Sequence, residues 1–246
     1  MLSRQEARAR NVMALLINFA IVFFTGAAIW YNFRPDVSKI GWFGFAGWNS
    51  LRFFTNLSNI FVAIAAAVTV VEAAKNVVLE RFEFPKWLIV FKFAATTSVS
   101  VTMGTVLLFL APFSPNGFLW FFTQNNFYLH FYTPSLAIIT FIYFERTAAG
   151  LNKRDCFWGV LPTVAYSAVY IPMVILGEAN GGWPDFYGFT FGGNLWAASI
   201  AALCMYAFSL LLAFLLYGLQ KWLLKRFPLY AAGENAQDSK KRTKAN

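Results

Sequence analysis

The chain has 246 residues, of which 59% are apolar, 20% aromatic and only 13% charged, with a mean hydropathy of +0.54 and a net charge of +9. An ordinary soluble domain carries about 25% charged and about 45–50% apolar residues, so this balance argues against a soluble globular enzyme, and its hydrophobicity argues against a disordered chain. Long apolar stretches instead define an all-α, polytopic membrane protein; a transmembrane barrel would show short alternating segments, and none occur.

Six apolar runs have the length of about 20 residues that crosses roughly 30 Å of hydrocarbon. They are Asn11–Tyr31, Leu51–Val71, Trp87–Leu110, Phe121–Phe144, Cys156–Leu176 and Leu195–Tyr217. The first is preceded by arginines, as a signal peptide is, but its apolar core of about 20 residues is longer than an h-region, so a retained helix is expected. The six runs form one transmembrane domain over residues 1–227, followed by a polar tail, 228–246, whose Lys-Lys-Arg-Thr-Lys run suits either topology or contact with anionic lipid. No convincing internal repeat is present, which weakens an inverted-repeat transporter reading.

The basic residues sort by side. Sixteen of the twenty Lys and Arg fall at the N-terminus (Arg4, Arg8, Arg10), in the second loop (Lys75, Arg81, Lys86), in the fourth (Arg146, Lys153, Arg154) and after the last span (Lys221, Lys225, Arg226, Lys240, Lys241, Arg242, Lys244). Arg34, Lys39 and Arg52 take the other side, and Lys92 lies inside a span. Positive residues stay cytoplasmic, so both termini are expected there, and the charge is a topology signal before it is a nucleic-acid signal. The location expected is an integral membrane, the cell membrane if the organism is a bacterium. Trp30, Tyr31, Trp48, Trp120 and Trp183 are expected at the outer boundary, and Trp87, Trp158 and Trp222 at the inner one. With two cysteines (Cys156 and Cys204) and one histidine, a four-ligand Cys/His zinc site is excluded within one chain. No metal or other cofactor is implied.

Polar side chains within the spans are the functional candidates. At 100° per residue, Arg52, Thr55, Asn56 and Asn59 share one face at the start of span two, and Asn126, His130, Thr133 and Thr140 share one face of span four. His130 is either a general base or a hydrogen-bonding group between helices. Thr55 is either reactive or bonded to its own i−4 carbonyl. Lys92 is expected to snorkel to the cytoplasmic interface. The hydroxyls of span three (Thr96, Thr97, Ser98, Ser100, Thr102, Thr105) either pack helices or line a ligand cavity. In the glycine- and aromatic-rich loop before span six, Glu178 and Asp185 are either solvated or placed to orient His130 or to neutralise Arg52. The loop itself reads as a compact cap.

Six spans, Phe54-Thr55 with Asn59 downstream, and Asn126-Phe-Tyr-Leu-His130 followed by Pro134 resemble the androgen-induced and androgen-dependent transmembrane threonine hydrolases and their bacterial six-pass relatives. The Trp183-Pro184-Asp185-Phe186 loop adds a weaker likeness. The chain departs from the characterised branch in the polar run after Thr55 and in lacking a second histidine shortly before His130. The resemblance implies a membrane enzyme that hydrolyses esters of hydroxy fatty acids, with Thr55 as nucleophile and His130 as its partner. A threonine hydroxyl is a weak nucleophile and needs such a base, and the oxyanion needs donors, for which Asn59, Asn126 and Arg52 are the candidates. The expected partner is a membrane lipid or fatty acyl ester, not a nucleic acid. A non-catalytic scaffold or lipid-binding protein is the first rival, and a proton-coupled transporter the second.

Overall fold

The computed structural model describes residues 4–34, 47–81, 83–145, 150–190 and 194–226. Among these residues all regular structure is helical: α1 (Arg4–Tyr31), α2 (Phe54–Val78), α3 (Lys86–Thr105), α4 (Gln124–Phe127), α5 (Thr133–Tyr143), α6 (Cys156–Leu176) and α7 (Leu195–Arg226). The expected polar tail, together with Lys39 and Arg146, lies outside the described residues. Five helical segments are long and apolar enough to cross a membrane: Gln5–Tyr31, Phe54–Val78, Lys86–Leu110, Lys153–Leu176 and Leu195–Arg226.

The fourth predicted span is divided. A 3-10 turn, Phe118–Phe122, runs into its start, and α4 passes into α5 through a π turn at Tyr128–Tyr132. Pro134 accounts for the π turn. A proline cannot donate to the carbonyl four residues before it, and its ring collides with that carbonyl, here that of His130. The chain widens by one residue per turn, and the Thr133 N–H bonds the Tyr128 carbonyl. Leu129 then loses its α-type donor, and its π-type donor would be Pro134, which has none. Its carbonyl is left for another helix. Widened turns of this kind recur at functional sites. A second one, Val106–Leu110, continues α3.

α3 is the central helix. It packs against α2, α5, α6 and α7, and 67% of its apolar window is buried, against 28% for α1, 22% for α6 and 17% for α7. The outer helices turn Phe19, Phe23, Leu203 and Leu211 outward, as lipid-facing helices do. Small residues allow close approach: a side-chain carbon on Gly159 of α6 would lie 3.0 Å from Ala213 of α7 and from the Thr97 hydroxyl of α3. Most α3 hydroxyls act within this packing, with Thr97, Ser98 and Ser100 bonding carbonyls three or four residues back and Ser58 meeting Thr102 at 2.8 Å.

Lys92 does not snorkel. It is 1% exposed, pairs with Glu145 at 3.4 Å and donates to Asn18. Asn18 and Thr140 both donate to Glu145 Oε1, and Gln220 donates to the Glu145 carbonyl at 3.0 Å. The aliphatic stem of Lys92 would allow an escape to the interface. A carboxylate at the end of α5 makes the interior better, because a buried charge is tolerated when paired and hydrogen-bonded. The cluster ties α1, α3, α5 and α7 together at the end opposite the 177–190 loop.

Candidate functional site

The other end of the bundle is closed by that loop. α6 stops at Gly177, whose φ of 73° suits glycine. The chain returns so tightly that a side-chain carbon on Gly182 would lie 2.2 Å from the Met173 carbonyl. Trp183 N–H bonds the same carbonyl at 2.8 Å. Asp185 organises the rest, accepting from Tyr170 Oη at 2.6 Å, Phe189 N at 3.1 Å, Thr190 N at 2.7 Å and Thr190 Oγ1 at 2.6 Å. Burial pushes its carboxyl upward, but the hydrogen bonds from Thr190 and Tyr170 outweigh burial and hold it below the usual carboxylate value. Asp185 is therefore a structural acid of the cap, neither a solvated charge nor the orienting partner of His130, whereas Glu178 is exposed. The loop is compact, with Phe186 and Trp183 packed on Tyr170 and Phe53.

Arg52 is displaced from the expected polar face. It ends a 3-10 turn, Gly47–Arg52, and α2 begins only at Phe54. Its guanidinium lies over the Trp183 ring, 5.7 Å from the centroid, a cation–π contact. Its carbonyl accepts from Tyr166 Oη at 2.7 Å. The N-cap of α2, Phe53, makes no side-chain capping bond; instead Phe54 N–H donates to Tyr187 Oη at 3.0 Å. Thr55, the next residue, contributes its side chain and amide to the polar neighbourhood of the same phenol.

Thr55 lies on the wall of a cavity of about 70 Å³ with Thr102, Thr105, Tyr166, Tyr170 and Tyr187, closed on the α7 side by Ala198, Ala201 and Ala202. The cavity sits between α2, the end of α3, α6, α7 and the cap. Hydroxyls from α2, α3, α6 and the cap line it, and small apolar residues of α7 make one wall. Among the described residues Thr105 Oγ1 is buried there without a hydrogen-bond partner, a costly state for a polar group unless something fills the space beside it.

His130 does not line this cavity. It is buried in the π turn, and its Nδ1 is 3.0 Å from the Phe121 carbonyl. A carbonyl only accepts, so Nδ1 carries the hydrogen and Nε2 holds the lone pair. This orientation comes from a backbone atom that sequence reading does not reveal. The 3-10 turn, and the break at Thr123 that follows it, return that carbonyl to the imidazole.

Asn59 ties the two halves of the site. Its side-chain amide donates to the Thr55 carbonyl at 2.8 Å and to the Leu129 carbonyl at 2.9 Å, the acceptor that the π turn left over. The backbones at Thr55 and at Leu129-His130 thus share one donor, although no hydrogen bond joins the Thr55 hydroxyl to the imidazole among the described residues. With both amide hydrogens engaged, Asn59 is a stitch between helices and has no hydrogen left for an oxyanion. Asn126 is half-buried in α4, and the π turn between it and Thr133 breaks the single face expected for Asn126, His130, Thr133 and Thr140. Comparison with family models, curated proteins and solved structures finds no match.

Proposed function

We propose that this chain is an integral-membrane lipid ester hydrolase, related to the threonine hydrolases it resembles, with Thr55 as nucleophile and His130 as general base. The observation that carries the reading is the Asn59 stitch. It joins the backbone of a hydroxyl on a cavity wall to that of a histidine whose Nδ1–H is held by the Phe121 carbonyl. This leaves Nε2 as the basic nitrogen. The apolar α7 wall suits an acyl chain entering from the bilayer, and the hydroxyls around Thr55 suit its ester.

In the reaction, Thr55 Oγ1 attacks the ester carbonyl carbon while its proton passes to His130 Nε2, directly or through one water. The tetrahedral intermediate collapses, the C–O bond to the alcohol breaks, and the imidazolium protonates the departing alkoxide. Water then gives a proton to Nε2 and adds to the acyl-threonine; the acid leaves and Oγ1 recovers its hydrogen. Six passes complete the reading, with the helical run Gln124–Tyr143 as the fourth and both termini cytoplasmic, so that the cap and the site face the outer side.

A specific observation favours a second reading, lipid binding without turnover: Thr55 has Tyr187, not His130, as its polar neighbour. Hydrolysis of a long-chain p-nitrophenyl ester by purified protein in nanodiscs separates the two. The hydrolase reading expects turnover that both Thr55→Ala and His130→Ala remove. Ester binding with no turnover, or turnover that survives both substitutions, contradicts it.

A further inference from the structure

The cap loop does more than cover the cavity: it delivers one phenol to the start of α2. Tyr187 Oη accepts the Phe54 N–H at 3.0 Å. The phenol's own hydrogen remains to be donated, and its side-chain neighbours are Thr55 and Tyr166. Tyr166 gives its hydrogen to the Arg52 carbonyl at 2.7 Å, so the Tyr187 hydrogen has two outlets, the Tyr166 oxygen and a group in the cavity that Tyr187 and Thr55 both line.

Two contacts hold Tyr187, and the first is itself anchored on Asp185. Tyr187 N–H donates to Tyr170 Oη at 3.3 Å, and Tyr170 Oη donates to Asp185 at 2.6 Å. The ring stacks on Phe189 with centroids 5.5 Å apart and an interplanar angle of 22°. Burial pushes its hydroxyl up to about 12, so at neutral pH the group is a neutral donor and not a base. Among the described residues, Thr105 Oγ1 of the same cavity is also buried without a partner.

We propose that Tyr187 is a catalytic residue, whose phenolic O–H donates to the oxyanion that forms when Thr55 attacks an acyl or phosphonyl centre. The oxyanion is only two bonds from Thr55 Oγ1, in the cavity that the phenol also lines. The donor is fixed before reaction by Phe54 N–H, Tyr170 and Asp185, and fixed donors aimed at developing charge supply the largest part of acyl-transfer catalysis. The cap thereby couples closure to chemistry, because a displaced loop removes the donor together with the cover. No sequence feature singled out this tyrosine; the expected oxyanion donors were Asn59, Asn126 and Arg52.

The inference rests on the hydrolase reading, and the test separates the two. A long-chain p-nitrophenyl phosphonate is added to the full-length protein in nanodiscs. Thr55 Oγ1 forms a bond to phosphorus, p-nitrophenolate leaves, and the threonine proton passes to His130. The rate is read as nitrophenolate released per folded molecule, with thermal unfolding followed in parallel. Tyr187→Phe keeps the ring and removes the hydroxyl, with it the bond from Phe54 N–H, and is expected to slow labelling by about 100-fold or more with only a small fall in the unfolding midpoint. Asp185→Ala keeps the phenol and frees its loop, and is expected to slow labelling by at least about 10-fold. Wild-type rates in both variants overturn the role of Tyr187 and leave the hydrolase reading intact. Failure of the wild-type protein to release nitrophenolate, or release that survives Thr55→Ala, overturns both.

Discussion

Two polar clusters interrupt this apolar bundle, and they are built on opposite plans. Around Lys92 a charged pair is bonded by three amide or hydroxyl side chains, of which Gln220 also borders a cavity beside residues 150–152. Around Thr55 the polar groups are neutral hydroxyls that border a void; among the described residues each cluster leaves one atom without a partner, the carboxylate Glu145 Oε2 in the first and the hydroxyl Thr105 Oγ1 in the second. The first cluster has the form of a fastener and the second that of a site. A membrane interior tolerates polar groups in both ways, but only the open plan leaves donors for a ligand. A single asparagine works on each plan: Asn18 completes the closed cluster, and Asn59 holds together the two halves of the open one.

Substitutions that remove chemistry without touching the fastener give the sharpest test of this contrast. Thr55→Ala is expected to lower ester turnover by about 10⁴-fold or more, as loss of a nucleophile does, with an unchanged unfolding midpoint; turnover assays beside thermal scans check both halves. Lys92→Met is expected to do the reverse. Breaking one partner of a buried pair costs about 3–5 kcal/mol, seen as a large fall in thermal midpoint, and Lys92→Met combined with Glu145→Leu recovers most of it. If the single variant unfolds no earlier than wild type, the cluster is not a fastener.

A smaller effect probes the stitch. Asn59→Leu loses two hydrogen bonds and orphans the Leu129 carbonyl, a cost of about 1–3 kcal/mol. It is expected to lower both stability and turnover, since it alone belongs to both structure and site. The smallest effect concerns pH. Asp185 has its folded value depressed below 3.8, so its contribution to cap stability is fully present above the unfolded value. It is lost only as pH falls through the lower, folded one. Trp183 fluorescence is expected to report a cap transition below the usual carboxylate range, and Asp185→Asn to abolish that transition.

Much of the frame is legible in the chain because apolar length is local information. Cys156–Leu176 is both a predicted span and a helix, to the residue. Thr55, Asn59 and the cap loop also stand out, because polar residues inside an apolar run have few innocent readings. What escapes is set by contacts distant in sequence or by backbone irregularity. Lys92 looks free to reach the interface until Glu145 arrives from the end of α5. Arg52 looks helical until the 3-10 turn removes it from α2. Pro134 announces a disturbance near His130, but only the register of the π turn shows that the Leu129 carbonyl is the atom released to Asn59. The Phe121 carbonyl that orients His130 is invisible in principle, since every residue has a carbonyl.

The central claim is that the Thr55 hydroxyl is the atom that takes up the acyl group. Peptide mapping by mass spectrometry of protein treated with a long-chain phosphonate tests it most directly. The account predicts one adduct, on the peptide containing Thr55, formed in wild type and absent in His130→Ala. An adduct on any other residue, or none at all, contradicts it.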